Sequence, residues 1–89
     1  MKRYTIRVRP GVRRALKKIP GEELARIGKR IDSLRDDPRP PDAKKLKGTD
    51  DLYRVRAGDY RVVYMIKDDI LLVLVVRVAH RKEAYRKGR

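Results

Sequence analysis

The residues best suited to chemistry in this sequence are arginines that alternate along two neighbouring segments. Arg54 and Arg56 stand two positions apart, and Arg61 follows them after the pair Gly58-Asp59. Residues two apart on a strand share one sheet face, and glycine suits the first central position of a two-residue type II′ turn. The three guanidinium groups would then lie on one face, where directly opposed neighbours are about 5 Å apart and repel without an anion between them. This pattern fits a phosphate-binding site and a solvated basic face about equally well.

The same hairpin register separates the apolar residues from the basic ones. A two-residue turn pairs Ala57 with Tyr60, so the face opposite the arginines carries Tyr53, Val55, Ala57, Tyr60, Val62 and Tyr64. A slip of one residue would mix the two sets. The register therefore predicts an apolar face that packs on helices.

A second group of polar side chains lies close together near the C-terminal end, and it consists of His80, Arg81, Lys82 and Tyr85. A histidine titrates near neutral pH. A tyrosine can stack on a base, or can accept a proton when nearby cations lower its pKa. Composition alone fits a solvated C-terminus better than a site.

Composition excludes several other kinds of catalytic site. The chain has no cysteine and one histidine, which excludes thiolate nucleophiles and thiolate metal sites and disfavours a serine-type hydrolase. The acid pairs Asp36-Asp37, Asp50-Asp51 and Asp68-Asp69 fall at predicted turns or element ends, where turn and cap chemistry accounts for them better than metal binding does. No glycine-rich phosphate loop occurs. We therefore predict no metal and no cofactor.

The charge of the chain indicates a polyanionic partner. Its 89 residues include 26 lysines and arginines against 12 acids, a net charge of +14, and we expect a single domain over residues 1–89. The lack of asparagine and glutamine removes the usual bidentate readers of adenine and disfavours sequence-specific DNA binding. No signal peptide and no apolar run of membrane-spanning length occurs, so we expect a cytoplasmic protein with no membrane partner.

The elements that must position these side chains follow from hydrophobic periodicity. The predicted order is a strand Tyr4–Val8, a helix around Val12–Ile19, a helix Glu22–Arg35, a loop Asp36–Gly48, and strands Leu52–Ala57, Tyr60–Ile66 and Ile70–Ala79. The last strand is apolar on both faces, which predicts a central position. The prediction is an α+β fold with an N-terminal strand, an antiparallel helical hairpin and a three-stranded antiparallel meander, all forming one sheet packed on the helices.

Four stretches of the sequence carry a family resemblance: Leu46-Lys47-Gly48, Leu52-Tyr53-Arg54-Val55-Arg56, Gly58-Asp59-Tyr60-Arg61-Val62-Val63-Tyr64, and Val78-Ala79-His80-Arg81 with Tyr85. With the element order, they resemble the RelE toxins of the RelE/ParE superfamily over essentially the whole chain. The resemblance implies the toxin of a type II toxin–antitoxin module, held in a hetero-oligomer by a cognate RelB-like antitoxin. It further implies a toxin that enters the ribosomal decoding site and cleaves messenger RNA by metal-free 2′-hydroxyl attack, which inhibits translation.

The resemblance also implies where RNA is bound. Arg54 and Arg56 match a pair of basic residues that are lysines in the best-known members. Arginine stays protonated in proteins, so neither residue is a good general base. Lys47 and Lys82 are expected to add further contacts to RNA phosphates.

The catalytic roles come from the same resemblance. Arg61 matches a phosphate-binding arginine, and Arg81 matches one assigned to transition-state stabilisation or leaving-group protonation. Tyr85 matches a tyrosine assigned as base or stacking platform. With arginines in place of the family lysines, the base is Tyr85, His80 or Glu83, of which Tyr85 is favoured and His80 remains a competitor.

Two other functions stay open from the sequence. ParE toxins share the fold but act on DNA gyrase, and they need not keep the RNA-cleaving residues. The joint presence of Arg61, Arg81 and Tyr85 favours RelE over ParE. The second possibility is a regulatory member that binds antitoxin or nucleic acid without cleaving.

Overall fold

The computed structural model describes residues 3–48 and 51–82, which form two helices packed on one face of a five-stranded sheet. The elements are β1 (Thr5–Val8), α1 (Pro10–Leu16), α2 (Gly21–Ser33), β2 (Lys44–Lys45), β3 (Leu52–Ala57), β4 (Tyr60–Lys67), a 3-10 helix (Asp68–Ile70) and β5 (Leu72–His80). The predicted α+β class is confirmed.

The sheet is mixed, with the strand order β1-β5-β4-β3-β2. β1 runs parallel to β5, and the other neighbouring pairs are antiparallel. Parallel neighbours need a crossover connection, and here the helices lie on that connection. β5 has a strand on each side, which confirms the central position predicted from its two apolar faces.

The β3–β4 hairpin has the register predicted from the sequence. Ala57 pairs with Tyr60, and Arg56 lies directly opposite Arg61. Gly58 has φ +64, a left-handed value that glycine adopts without a steric penalty and that a type II′ turn requires at this position. The apolar face is turned inward, because Val55, Ala57, Val62 and Tyr64 are buried.

The prediction misses one strand and places the start of another too early. The predicted loop Asp36–Gly48 contains β2, which pairs with β3 through Lys44 and Lys45. The last strand begins at Leu72 rather than Ile70, because Asp68–Ile70 form a turn of 3-10 helix and Leu71 reverses the chain with φ 50. Ile70 therefore stays 64% exposed, although its apolar character suggested a strand.

The helices cover the inner sheet face with apolar stripes. Pro10 opens α1, where its missing N–H costs no helical hydrogen bond. On α2, Ile27 and Ile31 recur one turn apart and are buried, and Leu34 continues their stripe just past the last helical residue. Each such side chain contributes roughly 1.5–3 kcal/mol by leaving water, so this packing fixes α2 against β3 and β4.

A network that we call the anchor cluster (Tyr4, Arg39, Tyr53, Tyr64 and Asp68) fastens the chain after α2 to the sheet. Arg39 donates two hydrogen bonds to Asp68, of 3.2 and 2.8 Å, and its Nε donates to the Tyr53 hydroxyl at 3.1 Å. The Tyr4 hydroxyl donates to Asp68 at 2.6 Å, and the buried Tyr64 hydroxyl donates to the carbonyl of Pro38 at 2.7 Å. These contacts hold the end of the sheet that lies away from the β3–β4 turn.

Candidate active site

A concavity of about 150 Å³, which we call the arginine pocket, lies where the β3–β4 turn meets the end of β5. Its lining consists of Arg56, Gly58, Asp59, Tyr60, Arg61 and Arg81. The pocket thus combines two arginines of the predicted sheet face with one from the predicted C-terminal group. It does so because β5 runs antiparallel to β4 and ends beside the start of that strand.

Backbone pairing positions each of the three guanidinium groups. Arg56 and Arg61 face each other across the hairpin, on the sheet face turned away from the helices. Arg81 follows β5, and its backbone N–H donates a 2.8 Å hydrogen bond to the carbonyl oxygen of Asp59. Its side chain also approaches Asp59, with Nη1 at 3.8 Å from Oδ1.

The pocket carries an excess of positive charge. Its lining has three guanidinium groups and a single carboxylate, that of Asp59. The ion pair between Asp59 and Arg81 is long, and both side chains are more than half exposed. Solvent therefore screens the pair, and it contributes little to stability. Directly opposed like charges such as Arg56 and Arg61 destabilise a sheet, and an anion placed between them would relieve that repulsion.

Comparisons with known proteins show the family to which this chain belongs. A family model described as the ParE toxin of the type II toxin–antitoxin system parDE matches residues 6–85. Toxin RelG of Mycobacterium tuberculosis is 35% identical over 88 residues, which cover 94% of this chain and 98% of RelG. The chain belongs to the RelE toxin family, within the RelE/ParE superfamily.

Solved structures confirm the RelE fold of this toxin. The RelE–RelB complex of Pyrococcus horikoshii matches it with a TM-score of 0.79 and 32% identity, over 88% of this chain and 94% of the matched chain. The toxin–antitoxin complex RelBE2 of Mycobacterium tuberculosis matches with a TM-score of 0.79 and 32% identity, over 90% of this chain and 93% of the other.

His80 of this RelE-family toxin does not line the arginine pocket. It pairs with Tyr60 on the sheet face opposite Arg56 and Arg61, and the two rings meet edge to face with centroids 5.2 Å apart. The backbone N–H of Lys82 donates to His80 Nδ1 at 3.2 Å, so the proton of a neutral imidazole belongs on Nε2. This arrangement makes His80 a packing partner of Tyr60.

The other predicted RNA contacts lie at different distances from the pocket. Arg54 lines a neighbouring concavity of about 360 Å³ together with Lys44 and Arg56. Lys47 follows β2 at the opposite end of β3 from the turn, and Lys82 is exposed next to Arg81. The predicted base Tyr85 and the third possibility, Glu83, lie outside the described residues.

Two residues at or near the pocket are not predicted as site residues from the sequence. Asp59 was interpreted only as a turn residue, although its carbonyl and carboxylate both contact Arg81. Arg26 comes from α2, and its Nη1 lies 3.0 Å from the point where a side chain on Gly58 would begin. The sequence feature that could have indicated Arg26 is its position on the polar side of an amphipathic helix. Periodicity alone does not show which end of a strand such a helix contacts.

Within residues 3–48 and 51–82, no group of three His, Asp or Glu side chains is arranged to hold a metal ion. In the same part of the chain, no helix has the length and apolar character needed to cross a membrane.

Proposed function

We propose that this toxin cleaves messenger RNA in the ribosomal decoding site, by attack of a ribose 2′-hydroxyl on the adjacent phosphate. The observation that carries the proposal is the arginine pocket, in which Arg56, Arg61 and Arg81 surround a space with one screened carboxylate. The products are a 2′,3′-cyclic phosphate and a 5′-hydroxyl. Translation stops because the message is cut.

The reaction needs positive charge more than it needs a nucleophile from the protein. As the 2′-oxygen bonds to phosphorus, the phosphate passes through a five-coordinate state with more negative charge on its non-bridging oxygens. Guanidinium groups donate forked hydrogen bonds that match those oxygens, and they act most strongly where charge develops. In our proposal Arg56 and Arg61 hold the phosphate, and Arg81 faces the departing 5′-oxygen.

Two protons have to move for the atoms to balance. The 2′-hydroxyl gives up its proton as the 2′-oxygen to phosphorus bond forms. The 5′-oxygen takes up a proton from a water molecule as its bond to phosphorus breaks, and Arg81 stabilises the charge on that oxygen. We assign the first transfer to Tyr85, which follows the last pocket arginine closely in the chain. A phenol near several cations has a lowered pKa and becomes a better base. His80 lies on the other sheet face, and this position argues against His80 as the general base.

A pair of variants separates the two bases. Tyr85→Phe keeps the ring for stacking but removes the ionisable hydroxyl, so we expect cleavage at neutral pH to fall by about 10²–10⁴-fold, the usual contribution of general acid–base catalysis. His80→Gln should change the rate much less. Single-turnover cleavage on programmed ribosomes over a range of pH measures both, and a larger loss for His80→Gln would move the base to His80.

Flanking cations extend the binding surface in this proposal. Arg54 lies beside Arg56 in the adjoining concavity, and Lys82 follows Arg81 in the chain. Contacts of this kind hold the backbone of RNA without reading its bases. Lys47 lies farther away, so we expect its removal to weaken RNA binding with little effect on the cleavage step.

We also propose a RelB-like antitoxin as the partner that keeps the toxin inactive in the cytoplasm. The matched structures from Pyrococcus horikoshii and Mycobacterium tuberculosis are both toxin–antitoxin complexes. A net charge of +14 favours an acidic partner segment that can compete with RNA. Co-expression with the product of an adjoining short acidic reading frame should restore growth and yield a co-purifying hetero-oligomer.

The test of the proposed activity uses purified toxin and ribosomes programmed with a defined message. We expect cuts at the decoding site, with cyclic-phosphate and 5′-hydroxyl ends identified by mass spectrometry. A chelator that binds transition metals and leaves magnesium for the ribosome should not change the rate. Loss of cleavage under that chelator would contradict a metal-free reaction.

The family model that matches the chain is described for ParE toxins, which makes DNA gyrase the second candidate target. A gyrase supercoiling assay run beside the ribosome assay distinguishes the two. Inhibited supercoiling with an intact message would reject mRNA cleavage. An intact message with active gyrase would instead favour a regulatory member that does not cleave.

A further inference from the structure

A second basic concavity adjoins the arginine pocket and shares Arg56 and Gly58 with it. It has a volume of about 350 Å³ and lies between α2 and the end of β3. From α2 it is lined by Arg26, Lys29 and Arg30, and we call it the α2 groove. Because the two concavities share lining residues at the β3–β4 turn, they form one continuous surface around that turn.

Helical geometry explains why the cations of α2 face this groove. Arg26, Lys29 and Arg30 have the i, i+3 and i+4 spacing that places side chains on one side of a helix. Ile27 and Ile31 occupy the neighbouring stripe and are buried against the sheet. The same packing that buries the isoleucines therefore fixes the direction in which the cations point.

The absence of a side chain on Gly58 leaves space for Arg26 beside the β3–β4 turn. A Cβ atom on Gly58 would lie 3.0 Å from Arg26 Nη1 and 3.2 Å from Arg26 Cδ, which is too close for an undisturbed contact. Glycine thus serves two purposes here, since it adopts φ +64 and leaves room for the arginine. The result is a guanidinium of α2 placed beside the β3–β4 turn, in the groove that Arg56 also lines.

The α2 groove is cationic and lacks an acid in its lining. Arg30 is paired with Asp42, which lies outside the groove and whose pKa is lowered mainly by that hydrogen bond. Among the ion pairs formed within residues 3–48 and 51–82, none involves Arg26 or Lys29. The charges of Arg26 and Lys29 are therefore available to bind an external anion.

We propose that the α2 groove binds the phosphodiester backbone of the message on one side of the scissile phosphate. This inference rests on the proposed function, because the arginine pocket supplies the point from which the strand continues. A single strand that leaves the pocket past Arg56 meets Arg26 and Lys29 next. A basic groove that follows a backbone in this way binds without sequence preference and depends strongly on salt.

The experiment measures the salt dependence of binding to a short single-stranded RNA whose scissile nucleotide is 2′-deoxy, so that no cleavage occurs. The variant Arg26→Ala/Lys29→Ala loses two phosphate contacts, and the slope of log K against log salt should fall by about 1.4. The matched control is Arg14→Ala/Lys17→Ala, which removes an equally spaced, exposed arginine and lysine from the last turn of α1 and the residue that follows it. It should lower the slope much less, and Arg26→Lys/Lys29→Arg should keep the wild-type slope.

Three results would overturn the inference. The first is a slope for Arg26→Ala/Lys29→Ala equal to that of the α1 control, with both variants folded by circular dichroism. The second is a loss of slope in the charge-preserving variant, which would make the effect structural. The third is a change seen with whole ribosomes and absent with the oligonucleotide, which would place ribosomal RNA in the groove.

Failure of the groove proposal and failure of the proposed activity give different results. If the wild-type toxin cuts the message while the groove variant behaves as the α1 control, the groove proposal alone fails. If no cutting occurs but the slope changes as expected, cleavage fails as a function and the groove remains an RNA-binding surface.

Discussion

The two ends of the sheet place their arginines in different surroundings. At the end that holds the anchor cluster, Arg39 has three hydrogen bonds to side chains and stacks over Tyr53, with its guanidinium carbon 5.3 Å from the ring centre. At the other end, Arg56 and Arg61 oppose each other, and Arg81 has one acid at 3.8 Å. The first end surrounds one arginine with a carboxylate and a phenol, whereas at the second end three arginines and one aspartate line a single pocket.

We interpret this difference as a structural use of arginine at one end and, under the proposed function, phosphate binding at the other. In the anchor cluster the pKa of Arg39 is raised, first by its hydrogen bonds to Asp68, and the pKa of Tyr4 is raised by its bond to the same carboxylate. Both shifts record interactions that favour the folded state. In the arginine pocket, Arg56 lies directly opposite Arg61, and a bound phosphate would accept hydrogen bonds from such guanidinium groups and offset the repulsion between like charges.

The largest expected effect comes from removing a pocket charge. Arg61→Ala should slow message cleavage by about 10²–10³-fold, because one donor to the developing charge is lost. The protein should remain folded, as thermal unfolding would show, and should still bind its antitoxin. Arg39→Ala is the matched change at the other end, and it should leave the cleavage rate intact below its melting temperature. If Arg61→Ala cleaves the message at the wild-type rate, the pocket does not stabilise the transition state of cleavage.

A smaller effect concerns the pH dependence of stability at the anchored end. Burial raises the pKa of Tyr64 to about 12 from an ordinary value near 10. The unfolded chain therefore releases this proton first. The stabilisation that comes from keeping the Tyr64 hydroxyl protonated is fully present below pH 10, and about 3 kcal/mol is lost as the pH rises through 12.

The measurement that isolates this effect compares wild type with Tyr64→Phe by urea unfolding. The difference between the two free energies of unfolding should shrink steadily between pH 10 and about 12, since lysine ionisation is common to both proteins. A difference that stays constant over that range would show that the Tyr64 hydroxyl does not titrate with folding.

The smallest effect is the loss of the anchor arginine itself. Arg39 is about half exposed, so Arg39→Ala should cost only about 1 kcal/mol, which lowers the melting temperature of a domain this size by roughly 4–8 °C. Arg35→Ala removes a surface pair with Asp32 and should shift the melting temperature less. Equal shifts for the two variants would mean that the anchor cluster adds nothing beyond an ordinary surface ion pair.

Much of the fold and part of the pocket could be predicted from local rules. The Gly58-Asp59 turn fixed the hairpin register, and that register alone placed Arg56 opposite Arg61 on the outer face. The apolar stripe of α2 likewise predicted which side of the helix meets the sheet. These features depend on neighbours in the chain, where turn chemistry and periodicity act directly.

Other features depended on contacts between distant segments. The strand β2 exists because Lys44 and Lys45 find an open edge at β3, although their own composition disfavours a strand. The start of β5 was displaced because Leu71 takes a left-handed conformation that its sequence does not signal. Arg26 meets Gly58 only through the packing of α2, so periodicity could not assign it to the pocket region.

The most direct test of the central claim follows the arginine side chains of the folded toxin by NMR. The Nε–H resonances are recorded while a short RNA with a 2′-deoxy scissile nucleotide is added. We expect the resonances of Arg56, Arg61 and Arg81 to shift together with a common affinity, while that of Arg39 stays in place. Unmoved pocket resonances, or a larger shift at Arg39 than in the pocket, would contradict it.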